Sequence, residues 1–267
     1  MFGKLMKYEM KSLTRGLLPL YGAILAVAVI NRVLMGISFD DRNGLPVIIA
    51  LMVYFGLCVA VGVVTIMAVV QRFYKGLLCD EGYLMHTLPV RPVELVLSKL
   101  TGATVMTILS GVVGVVSVLI LMSVGVKFVD FFAVDWLGGF RDLFRNFPSW
   151  PLAVLECLLV GLFCVTGQIA QLYAAMALGH LSNKHRVAMS FVWYLVISTA
   201  LSALLGIFVT VANATGLDYW LTQLTSAMNS SLCLHLGLIL TVLAYLVKTA
   251  SFCGVTNHVL TNKLNLE

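Results

Sequence analysis

Two charges of opposite sign sit inside apolar runs of the chain, Arg32 and Glu156. Counting 1.5 Å per residue along each run puts both about 8 Å below one bilayer face. They are placed to form an ion pair, with separate snorkelling to water as the alternative. Gln168, Gln171 and Tyr173 bring polar groups into another apolar run. The two amides are three residues apart and share a helix face. They line a substrate route, or they tie helices together as polar side chains in membranes do.

Other chemistry is thinner. Cys157 and Cys164 are seven apart, but no His or carboxylate joins them at metal-ligand spacing. The six cysteines read as small apolar fillers and not as a disulfide framework. The five histidines are scattered singly, with His180 and His185 flanking a short basic turn. No metal site is expected. Nor does any G-x-x-x-x-G-K-[ST], H-E-x-x-H or G-x-S-x-G pattern occur, so no nucleotide cradle, zinc protease or serine hydrolase is expected. An intramembrane lipid-modifying enzyme would need an acidic or His cluster at one bilayer face. The sequence shows none, and the expectation is a chain that is not itself an enzyme and binds no cofactor.

Two segments carry more. At 100° per residue, Phe2, Leu5, Met6, Met10, Leu13 and Leu17 fall within an arc of about 140°. Lys4, Lys7, Lys11 and Arg15 lie opposite, which predicts a basic amphipathic helix over 1–16 in the membrane interface. Glu9 falls on the apolar side, where it needs a cationic partner or an escape to water. The second segment is 71–92. Asp80 and Gly82 supply helix-start and turn chemistry, Tyr83–Leu88 can form one or two turns, and Pro89 and Pro92 end that piece. Pro92 suits the first turn of the next helix, with Glu94 close behind. Tyr83, Leu84, Met85 and Leu88 form an apolar face that folds back on the bilayer or docks a soluble partner. Lys99, near the base of that helix, is expected to reach headgroups.

What positions these residues is a set of long apolar runs. Of 267 residues 60% are apolar and 11% charged, with mean hydropathy +1.00. A soluble domain carries about 25% charged residues, so this is an integral membrane protein. The net charge of +5 therefore reports topology before partners, and no nucleic-acid binding is expected. Six runs are long enough to span: Leu17–Ile37, Leu45–Val70, Val93–Val126, Pro151–Gly179, Val187–Ala212 and Leu232–Gly254. The fold class is an all-α membrane protein of six transmembrane helices in one domain, 1–267. With both termini in the cytosol, the inner side holds Lys4, Lys7, Lys11, Arg15, Arg72, Lys75, Arg91, Lys99, Lys184, Arg186, Lys248 and Lys263. The outer side keeps Arg32, Arg42, Lys127, Arg141 and Arg145, mixed with most of the aspartates. The positive-inside rule favours that orientation. The outer segment 127–150 is rich in Phe and Trp, as interfacial anchors are.

Lys7-Tyr8-Glu9 with Lys11 and Arg15, ahead of the first span, resembles the N-terminus of bacterial type-2 ABC exporter permeases. Asp80-Glu81-Gly82-Tyr83-Leu84, then Leu88-Pro89-Val90, Leu95 and Ser98-Lys99, resembles the cytosolic loop between spans two and three of that family. Asn262-Lys263-Leu264-Asn265-Leu266 is similar to the ending of such permeases in Gram-positive bacteria. Arg91 departs from the small N-capping residue expected before Pro92.

The resemblance implies a multi-pass subunit of the bacterial cytoplasmic membrane, paired with a second copy or a paralogous permease. It implies a separate ABC ATPase subunit that holds ATP and Mg, with lipid around the dimer. Residues 1–15 would be an elbow helix and Tyr83–Leu88 the coupling helix, flanked by Asp80, Glu81, Gly82 and Pro89. The segment 213–231, with Leu217, Trp220, Leu221, Leu224 and Met228 at three-to-four spacing, would be a re-entrant or interfacial helix. The function implied is ATP-driven export of an amphipathic or peptide-like compound by alternating access. The alternative is a membrane sensor or assembly subunit that docks a cytosolic partner through 71–92.

Overall fold

The structure is a computed structural model that describes residues 2–38, 45–78, 92–122, 149–182, 185–216, 219–220, 223 and 230–262. Those residues form long helices: α1 Phe2–Ser38, α2 Leu45–Phe73, α3 Pro92–Met122, α4 Trp150–His180, α5 Arg186–Ala214 and α6 Ser230–Asn262. Each contains a stretch long and apolar enough to cross a membrane. Valine, isoleucine and phenylalanine dominate several of them, residues that in water lean toward strands. In hydrocarbon the backbone must satisfy its own hydrogen bonds, and a helix does that within one segment. This is a multi-pass membrane protein.

Two compact units share the chain, 1–72 with 101–142 and 73–100 with 143–267. Two of the three junctions fall inside helices, in α2 at 72/73 and in α3 at 100/101, and the third falls between α3 and α4 at 142/143.

The first unit is built on one seam of α1. Glu9, Leu13, Leu17, Tyr21, Ile24, Ala28 and Asn31 are all buried, at spacings of three and four. Leu13, Leu17, Tyr21, Ile24 and Ala28 pack with Tyr54 and Val61 of α2 and Met106 of α3. Polar contacts tie the same helices. Ser110 of α3 meets the Tyr21 hydroxyl of α1 and, at 3.0 Å, Thr65 Oγ1 of α2. Nearer the other end, Tyr54 Oη and Ser117 Oγ lie 2.7 Å apart. Interhelical hydrogen bonds of this kind contribute about 0.6 kcal/mol each in membranes.

The seam also explains a difference from the sequence reading. A separate helix over 1–16 was expected, but α1 runs unbroken from Phe2 to Ser38 with Pro19 inside it. The buried stripe passes through Leu17 without changing phase, so nothing marks a boundary there. Lys7, Lys11 and Arg15 are exposed, as the amphipathic pattern requires.

In the second unit α4 is the central helix, packed against both α5 and α6. From Ile169 to His180 nearly every side chain of α4 is buried. Alanine at 170, 174, 175 and 177 lets its neighbours come close. α4 and α5 come close at this end. A Cβ on Gly179 would strike Ser190, and His185 adopts the left-handed conformation at φ 54°. Glycine is required at 179 by that approach. α6 runs parallel to α4, with His235 beside Glu156 and Tyr245 to Thr249 beside Gly167. It continues eight residues past the expected Gly254, to Asn262. Lys248, counted with the cytosolic basic residues, therefore lies about 27 Å into α6 with its stem against Gly167.

Candidate functional site

The residues expected to engage an ATPase, Asp80, Glu81, Gly82, Tyr83, Leu84, Met85, Leu88 and Pro89, lie outside the described residues. The helix ends on either side are described, and each sets several buried side chains against its neighbours. α2 widens at its end into a π-helical turn, Tyr74–Leu78, a form that recurs at functional sites. Just before it, the Phe73 ring stacks on Tyr173 of α4, centroids 4.0 Å apart and planes 17° from parallel. Tyr74 tilts against His180 of α4 at 6.1 Å, and Leu77 is fully enclosed.

On the far side of the segment, α3 begins at Pro92 with Glu94 in its first turn, as the sequence suggested. Leu95, Val96, Ser98, Lys99 and Leu100 are buried. Lys99 corrects an expectation: it is 3% exposed and does not reach toward headgroups. Its ammonium lies over Gly76 in the π turn, where a Cβ would collide with Nζ. The Tyr173 hydroxyl donates to the Lys99 carbonyl at 3.4 Å. Tyr173 thus touches both ends at once and is buried between them.

The two glutamines separate. Gln171 is 3% exposed while Gln168 faces outward, so α4 does not present them as one polar face. Three residues turn a helix by 300°, leaving about 60° between them. That angle suffices to divide a buried edge from an open one.

Glu9 has the cationic partner its position demanded. Arg72 Nε donates to Glu9 Oε2 at 2.6 Å, with Glu9 2% exposed. The pair joins the first turns of α1 to the last turn of α2. Lys7, Lys11 and Arg15 stay on the open face; the Lys4 side chain lies outside the described ones.

Glu156 meets a residue the sequence reading passed over. His235 Nδ1 of α6 lies 2.7 Å from Glu156 Oε2, and His235 Nε2 lies 2.7 Å from Ser149 Oγ. Ser149 and Glu156 are seven apart, two turns on one face of α4, so one imidazole spans the gap between them. A cluster of acid and His at one end of the helices, absent from the linear sequence, exists in the fold. The signal was faint: only the seven-residue spacing of Ser149 and Glu156 was local, and His235 comes from 79 residues beyond Glu156. Arg32, half-buried on α1, belongs to the first unit and Glu156 to the second.

Of the remaining segments, 127–148 lies outside the described residues, as does most of 217–229. Tyr219 and Trp220 are helical and exposed. Among the described residues no group of three His, Cys, Asp or Glu is placed to hold a metal ion. Compared with family models, curated proteins and solved structures, the chain finds no match.

Proposed function

We propose that this chain is the transmembrane subunit of an ATP-driven exporter, working as a dimer in the bacterial cytoplasmic membrane with a separate ABC ATPase that holds ATP and Mg. The observation that carries the reading is the packing of the two helix ends that flank residues 79–91. At one end Phe73, just before the π turn, stacks on Tyr173 of α4, and at the other the buried Lys99 is set against Gly76 of that turn. Force applied between those two ends reaches α2, α3 and α4 through contacts that all lie within the second unit, which is what coupling to an external motor requires.

The apolar face of Tyr83, Leu84, Met85 and Leu88 then seats in a groove of the ATPase, with Leu84 and Leu88 forming one ridge. Alternating access moves an amphipathic or peptide-like compound through the dimer. Both termini lie in the cytosol in this reading. It draws support from the basic bias of the inner segments and from Arg72, which holds Glu9 near the N-terminus of α1.

Leu84→Asp tests the proposal. A charge in an apolar seat disrupts docking while the membrane helices keep their packing. Pull-down of the candidate ATPase and substrate-stimulated ATP hydrolysis are expected to fall at least tenfold. Unchanged values in a well-expressed variant would remove the coupling role and favour a sensor or assembly subunit.

A further inference from the structure

Ser149, His235 and Glu156 form a continuous hydrogen-bonded chain with both links at 2.7 Å. In the tautomer that carries its proton on Nδ1, His235 donates to the Glu156 carboxylate. The other ring nitrogen of a neutral imidazole then carries a lone pair, and the Ser149 hydroxyl donates to it. In that tautomer the Ser149 proton points at a histidine itself held by a carboxylate, which is the arrangement of an activated nucleophile.

Three further features separate this chain from ordinary helix packing. Ser149 occupies the N-cap of α4, where a serine hydroxyl normally accepts from the helix amides, yet it makes no such bond. Its carbonyl accepts the amides of Leu152 and Ala153 at 3.1 and 3.2 Å, the ordinary first bonds of the helix, and leaves the hydroxyl to His235. Glu156 is buried and His235 largely so, which strengthens the carboxylate's hold on the ring. The positive end of the α4 dipole also lies beside Ser149, where an oxyanion would develop.

We infer that Ser149 is the nucleophile of an acyl-transfer site that hydrolyses an ester carried by an amphipathic, lipid-like molecule. The surroundings set the substrate class. Leu152 on α4 is 50% exposed and Leu232 on α6 51%, with Leu234 and Leu236 also open beside His235. An acyl chain lies against such a face, and the ester group reaches Ser149 at the helix end.

In the first half, Ser149 Oγ bonds to the ester carbonyl carbon as its proton passes to His235 Nε2. Glu156 steadies the imidazolium through Nδ1–H. The tetrahedral oxyanion collapses, the carbon–oxygen bond to the alcohol breaks, and that alkoxide takes the proton from Nε2. In the second half, water gives a proton to His235 and its oxygen to the acyl carbon. The acid leaves and Ser149 recovers its hydrogen. No oxidant or metal enters the balance. Ser149 and His235 are the catalytic residues, and Glu156 is a positioning residue.

The test uses purified full-length protein in lipid nanodiscs, an alkyl fluorophosphonate probe and peptide mass spectrometry. The expected result is an adduct on Ser149 that Ser149→Ala abolishes. His235→Gln is expected to slow labelling by about 10²-fold, the usual share of a general base. Glu156→Gln should fall between, because the ring keeps a hydrogen-bond partner but loses the charge. Absence of a Ser149 adduct in monodisperse wild-type protein overturns the inference without any variant. So does labelling that His235→Gln leaves within about threefold, since general-base help is worth far more.

Discussion

Glu9 and Arg72 pose the sharpest question a single residue can pose in this fold. Glu9 is sealed while the Arg72 side chain keeps about a third of its surface, so the two partners are not equivalent. Removing the arginine takes from a buried carboxylate the cation 2.6 Å away, and removing the charge from the glutamate leaves an arginine that water reaches. Arg72→Ala is therefore expected to cost about 3 kcal/mol, at the low end for a broken buried pair because Arg72 is partly hydrated. Glu9→Gln should cost clearly less, and Glu9→Gln combined with Arg72→Gln should recover much of the loss. Thermal unfolding in detergent reads the order directly. If Glu9→Gln is as damaging as Arg72→Ala, the carboxylate is not the sensitive partner. That Glu9 would need a cation was legible from its place on the helical wheel. Which cation was not, because Arg72 lies 63 residues away and nothing local links the two.

Helices are where sequence and structure agree most closely, and where the reason for the rest is clearest. A span announces itself by an unbroken apolar run, so all six runs reappear as α1 to α6. Contacts between spans leave no comparable trace. Tyr21, Tyr54, Thr65, Ser110 and Ser117 hold the first unit together, yet each is a lone polar residue in an apolar stretch. Glu156 and Ser149 await a histidine from α6 in the same way. The break expected near Leu17 failed for a related reason: amphipathic and membrane-spanning segments share one seam, and the seam sets the helix. The α4–α5 hairpin offers a test of such close packing. A side chain at Gly179 collides with the backbone of Ser190, which a flexible neighbour cannot relieve. Gly179→Leu is expected to cost about 1–3 kcal/mol as overpacking does, or more if α5 must be displaced. Gly206→Leu, on the open face of α5 with nothing nearby, is the control and should change little. Equal melting temperatures for the two variants would mean that α5 rides loosely on α4.

At the scale of the whole molecule, the charges choose an orientation. Placing a Lys or Arg at the centre of a span costs about 2.5–3.5 kcal/mol on the insertion scale, and basic loops are retained on the cytosolic side. Lys248 and Lys99 no longer count toward that bias, since one is deep in α6 and the other is sealed against Gly76. Lys4, Lys7, Lys11, Arg15, Arg72, Lys75, Arg91, Lys184, Arg186 and Lys263 still outnumber the five basic residues of the opposite side. Those five are also offset by aspartates, among them Asp40, Asp41, Asp130, Asp135 and Asp142. The expected arrangement therefore has 1–15, 79–91 and 181–186 facing the cytosol, and 39–44 and 123–148 facing outward. Replacing the six native cysteines and reintroducing one at a time makes this measurable with a membrane-impermeant maleimide on intact cells. Cysteine at Lys4, His86 or Lys184 should stay unlabelled until the membrane is opened, while cysteine at Asp41 or Leu137 reacts at once. Labelling of Lys4 and His86 from opposite sides would break the chain of inference at its root. An N-terminus outside would place Arg72, the partner of Glu9, on the wrong face, and the proposed docking of residues 79–91 to an ATPase would fall with it.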